Sequence, residues 1–188
     1  TLDNSLTVYA ARTLHLPCPA PAGGDGRADC TLSPVGDALI GVLPWRTLGL
    51  TRARVLDGWN RHVTYAVAPA LATDPATAAD PVTLVDGGYT LDHLVREPGP
   101  EILDTAGGTP LPHPAAFLLV SHGINGSGAW LPGGGQRSAP SGFAADRPAE
   151  AENLPDNDTF VDRPRGRGFD DRLRWLDVDR LAQRAAKR

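Results

Sequence analysis

The chain has 188 residues, of which 41% are hydrophobic and 21% charged, with 18 Lys and Arg against 22 Asp and Glu. This suits one domain over residues 1–188, and a net charge of -4 supplies no basic face of the kind nucleic-acid binding needs. No run reaches the roughly 18 apolar residues of a membrane span, while 21 Gly and 18 Pro predict long ordered loops between short elements.

Residues 1–15, TLDNSLTVYAARTLH, read as an amphipathic helix. Leu2, Leu6 and Tyr9 recur at i, i+4 and i+7, Ala10 flanks them, and Pro17 ends the run. No capping residue stands in front, so the segment reads as the continuation of a longer helix. The chain contains no Met, and Thr1 is not expected to be the native start.

Cys18 and Cys30 bound a Pro/Gly/Asp-rich stretch, LPCPAPAGGDGRADC, without a CxxC or a nearby His pair. That excludes the usual zinc spacings and predicts a disulfide closing a short loop, formed in an oxidising compartment. Residues 36–50 mix apolar residues with Gly and Pro and read as irregular buried structure with one helical turn. Val63, Tyr65 and Val67 alternate and predict a strand over 61–67. Residues 82–95 offer two weak strands around Gly87 and Gly88, and Ile102 and Leu103 begin a further short strand. Ala116 to Ser121 is the clearest buried strand. Residues 123–148 read as a long loop. Residues 171–176 form a last strand with Leu173 and Trp175 on one side. Asp177 then caps a terminal helix carrying Leu181, Ala182 and Ala185. The basic tail, Arg180 to Arg188, suits a helix C-terminus. Helix first, then several strands, predicts an α+β fold with an antiparallel sheet packed on one helix.

Few constellations suggest chemistry. Ser121 and His122 end a strand, but Leu119 stands where the G-x-S-x-G elbow needs Gly, and adjacent strand residues point to opposite faces. None of the five His residues has metal-ligand spacing. Glu150, Glu152, Asn153, Asp156 and Asp158 gather hard oxygen ligands suited to calcium. They do not form an EF-hand loop, because Phe160 takes the third ligand position and Val161 the required Gly. Trp45 and Trp59 are expected to anchor the core, and Trp130 to offer a surface contact.

Several segments together resemble one family. They are Leu16-Pro17-Cys18-Pro19 with the loop to Cys30, Gly41-Val42-Leu43-Pro44-Trp45-Arg46-Thr47-Leu48-Gly49-Leu50, and Asp57-Gly58-Trp59-Asn60-Arg61 before Thr64-Tyr65-Ala66-Val67. Ala116 to Gly123 with Asn125-Gly126, then Glu150-x-Glu152-Asn153, Phe160-Val161 and Phe169-Asp170-Asp171 with Trp175, complete the pattern. It is similar to the bacterial type IV pilins and the pseudopilins of type II secretion, in which the Asp57 segment often reads D-x-W-G; Asn60 stands at that Gly. The resemblance implies a pilin-like fold and a filament subunit rather than an enzyme. Residues 1–15 would be the soluble half of an apolar N-terminal helix, and 16–188 the head. That helix would hold the protein in the inner membrane before assembly and other subunits in the filament afterwards, in the periplasm or outside the cell. Calcium bound in a C-terminal loop, as in major pseudopilins, is also implied. Two alternatives stay open. One is a secreted carbohydrate- or protein-binding adhesin module using Trp130 and the 123–148 loop. The other is a hydrolase using Ser121 and His122.

Overall fold

A computed structural model describes residues 1–13, 15–72 and 98–187. The weak strands expected over 82–95 lie outside the described residues. The chain opens with helix α1 (Leu2–Thr13), which buries Leu6, Thr7 and Ala10. Strands β1 (Leu39–Val42), β2 (Thr64–Val67), β4 (Ala115–Ser121) and β6 (Arg172–Asp177) form an antiparallel sheet in the order β1-β2-β4-β6. Strands β3 (Glu101–Leu103) and β5 (Thr159–Val161) form a separate parallel pair. Short helices α2 (Phe143–Asp146) and α3 (Pro148–Ala151) precede β5, and α4 (Val178–Ala185) closes the chain. The fold is α+β.

The alternation in the sequence decides the two faces. Val63, Tyr65, Val67, Phe117 and Leu119 meet Leu6 and Ala10 of α1 and Leu181 of α4 in the main core. Ala66, Leu118 and Val120 face the other way, onto Ile102 and Phe160 of the parallel pair, with Leu173 and Trp175 at the margin. Side chains two apart on a strand share a face, so one sheet buries both sides. Asp177 caps α4 by accepting from the Arg180 backbone N–H at 2.7 Å, as expected.

Three expectations need correction. Residues 39–42 are a strand rather than irregular structure. All four are buried, so no alternation marks them, and Gly41 fits because the Ala20 carbonyl and Pro19 leave no room for a Cβ. Trp59 is not in the core; it is 40% exposed, stacked on Arg61 in the turn before β2. Trp45 is buried and stacks on His62 with ring centroids 5.2 Å apart. Trp130, expected at the surface, is half-buried against the main core. Among the described residues no helix is long and apolar enough to cross a membrane.

Candidate functional site

Three polar assemblies stand out. The first is the loop closed by the Cys18–Cys30 disulfide, whose Cα atoms lie 5.2 Å apart. Cys18 is fully buried in the main core while Cys30 is exposed. Between them Gly26, at φ 86°, lies flat against the Trp45 ring, where a Cβ would collide. The Arg46 N–H donates to the Gly26 carbonyl at 2.9 Å, and the Ala28 N–H to Thr47 Oγ1 at 2.9 Å. The disulfide loop therefore buttresses the turn after β1.

The second assembly lies at the end of β2 and β4. Asp57 accepts from the Trp59 N–H at 2.9 Å, the Arg61 N–H at 3.0 Å and the Ser121 hydroxyl at 3.0 Å. The buried Arg61 guanidinium donates to the Gly123 carbonyl at 2.6 Å. Asn60 completes the turn at φ 60°, a left-handed conformation that Asn tolerates better than most residues and that a Gly would also adopt. His122 Nε2 and Thr64 Oγ1 lie 2.8 Å apart. Burial pushes the His122 pKa down to about 4, helped by the Arg61 charge and opposed by Asp57. Ser121 and His122 thus bond to different partners, Asp57 and Thr64, and not to each other.

The third assembly gathers Glu150 from α3 with Asp170 and Asp171 from the two residues just before β6, all with carboxylate oxygens within 4.8 Å of one another. Arg147 approaches Glu150 at 3.0 Å and Asp170 at 3.7 Å. The Asn125 amide donates to Glu150 at 2.9 Å and also to Asp170. The Asp170 N–H donates to Glu150 at 2.5 Å. Asn153, fully buried, accepts from the Val161 N–H at 2.7 Å and donates to Asp171 at 2.9 Å. Burial raises the Glu150 pKa, with Asp170 adding to it. For Asp170 burial works upward, but hydrogen bonds from Glu150, Asn125 and Ile124 and the Arg147 charge outweigh it and hold the carboxyl low. Burial pushes Asp171 up to about 7; Asn153 counteracts this, and the neighbouring carboxylates reinforce it.

The five residues expected to hold calcium are not brought to one point. Glu150 joins the carboxylate group, and Asn153 touches it through Asp171. Glu152 instead accepts from the Thr159 hydroxyl at 2.9 Å. Asp158 accepts from the Asp37 N–H at 2.7 Å, and Asp156 is exposed. Among the described residues the acidic group that could hold a cation is Glu150, Asp170 and Asp171, and its carboxylates already accept from Arg147, Asn125 and the Asp170 N–H. Arg147 and Asn125 were missed from sequence because they lie outside the acidic run; Arg147 stands three residues before Glu150, between the two short helices, in a stretch the sequence marked only as loop. Comparison with protein-family models, curated proteins and solved structures finds no match for this chain.

Proposed function

We propose that this chain is the head of a filament subunit of the type IV pilin and pseudopilin class, structural rather than catalytic. Helix α1 carries the proposal. It begins at Leu2 and lays Leu6 and Ala10 onto one face of a four-stranded antiparallel sheet. An N-terminal helix held this way can extend outward as a filament stem while the sheet stays in the head. The polar assemblies support a structural role. The disulfide, the Asp57–Arg61 clamp and the Glu150 group each pin a long loop, and stiff loops resist proteolysis and present a constant surface. Such a subunit is held in the inner membrane by its stem, then packs against other subunits in a periplasmic or extracellular filament. Within it calcium has one place to bind among the described residues, the Glu150–Asp170–Asp171 group, in competition with Arg147.

Intact-mass and N-terminal analysis of the native protein from its cells tests this. An apolar helix of roughly 20 residues before Thr1, with a processed N-terminus, is expected. A native N-terminus near Thr1 left by an ordinary secretory cleavage overturns the proposal.

One observation favours a second reading, a secreted binding module. Trp59 is 40% exposed and Ile124 69% exposed, and Arg61 touches both, lying 5.4 Å from the Trp59 ring and donating to the Ile124 carbonyl. Exposed Trp is common at binding hot spots, and here the buried Arg61 supports the Trp59 ring. A glycan array probed with the parent chain and with Trp59→Ala separates the two readings: binding lost in the variant supports the module, and no binding removes its glycan form.

A further inference from the structure

We propose that successive copies of this chain dock edge to edge, the arginine-rich β6 edge of one against the acidic corner before β1 of the next; this rests on the filament reading above. Strands β1 and β6 are the two outer strands of the sheet. On β6, Arg172 and Arg174 are exposed, and with Arg163 and Arg165 they line an open cleft of about 640 Å³ beside the start of α1. None of the four makes an ion pair among the described residues. The carboxylates of the cleft are committed elsewhere. Asp3 pairs with Arg184 at 3.5 Å, Asp162 accepts from Trp175 Nε1 at 2.9 Å, and Asp171 is buried against Asn153. Arginines therefore outnumber carboxylates in this cleft, four to three, and none of the four is held in an ion pair among the described residues.

The opposite corner carries the complementary charge. Asp37 is exposed just before β1, and its backbone N–H donates to the Asp158 carboxylate at 2.7 Å. The Asp158 carbonyl accepts from the Glu101 N–H at 2.9 Å, and Asp156 is exposed two residues earlier. These four carboxylates also lack ion pairs among the described residues. Strand β5 fixes the separation. It crosses the sheet face from Asp158, against Asp37, to Asp162, against Trp175 of β6. Three strand spacings, about 14 Å, lie between the outer strands.

Unlike patches on opposite edges cannot satisfy each other within one copy. Between copies they meet in a heterologous contact that leaves one edge of each kind free, so it propagates instead of closing. Complementary charge of this sort sets register and speeds encounter more than it adds affinity.

Sedimentation of the 188-residue chain over a concentration series, at low and high salt, reads this directly. The parent is expected to self-associate at low salt and to dissociate as salt screens the charges. Arg172→Glu/Arg174→Glu and Asp37→Lys/Asp156→Lys should each weaken association by roughly tenfold or more alone. Mixed in equal amounts the two variants should associate again, because each then presents the charge the other lacks. All four positions are exposed, and unchanged thermal melting of each variant checks that folding is intact. A parent that stays monomeric, variants that associate like the parent, or a mixture that does not recover, overturns the proposal. In that case the arginines serve only to keep an edge strand soluble. The filament reading is decided separately, by the N-terminal analysis, and survives that outcome.

Discussion

The Arg61 guanidinium occupies the space that a Cβ on Gly126 would need. Gly126 sits at φ 65°, where a side chain is already strained, so two constraints meet at one residue. Arg61 is 6% exposed and reaches its Gly123 acceptor only by passing over Gly126.

Gly126→Ala should therefore destabilise the fold by roughly 3 kcal/mol or more, by combining left-handed strain with displacement of a buried charge. Arg61→Met should cost a similar amount, because it leaves Asp57 buried without its cation. Urea unfolding of both variants checks this. If Gly126→Ala unfolds at the parental midpoint, Arg61 does not hold the 121–128 loop.

Cys30→Ser removes the disulfide from its exposed end and leaves the buried Cys18 environment in place. The loss expected for a loop of this length is about 3 kcal/mol. Melting of parent and variant, each with and without reductant, should show that reductant destabilises only the parent.

His122 and Asp171 make stability depend on pH in opposite senses. The folded His122 pKa lies near 4, below the ordinary value of 6.5, so its contribution is present above pH 6.5 and is lost as pH falls through 4. The folded Asp171 pKa lies near 7, above the ordinary 3.8, so its contribution is present below pH 3.8 and is lost as pH rises through 7. Relative to the parent, Asp171→Asn should gain stability as pH rises from 4 to 7, and His122→Gln should lose it. At about 1.4 kcal/mol per pKa unit, the difference should reach roughly 3.5 kcal/mol for His122→Gln and roughly 4.5 kcal/mol for Asp171→Asn across their windows. Chemical denaturation at four or five pH values reads both slopes, and parallel curves for parent and variants would refute the assignment.

A calcium ion held by Glu150, Asp170 and Asp171, as proposed above, would compete with the Arg147 guanidinium for their carboxylates. Arg147→Gln should thus gain thermal stability from added calcium, by mass action, while the parent gains little. Melting with calcium and with a chelator measures the difference. A parent that gains as much as the variant shows that Arg147 does not compete for the site.

Local chemistry made much of the fold legible in the sequence. Leu2, Leu6 and Tyr9 at helical spacing, flanked by Ala10, marked α1, and the alternation of Val63, Tyr65 and Val67 marked β2. The run from Ala116 to Ser121 marked β4, Leu173 and Trp175 marked β6, and Asp177 marked the start of α4. The polar setting of Cys18 and Cys30 predicted their disulfide. Each of these signals lies within about a dozen residues of chain.

Tertiary structure alone decided which elements meet. Strand β1 carried no period because it is buried on both faces. Nothing in the chain announced that β3 would pair in parallel with β5, more than fifty residues away. Glu150 and Asp170 are twenty residues apart, and Asn125 is twenty-five from Glu150, yet all three share hydrogen bonds. The acidic run dispersed because Glu152, Asp156 and Asp158 sit on different sides of a chain that turns into β5. Periodicity reports which side of an element is apolar, but long-range packing selects the partner. By itself the sequence determined α1, β2, β4, β6, the cap of α4 and the disulfide, and packing determined β1, β5, the two short helices, the carboxylate cluster, the Arg61 clamp and the two charged edges.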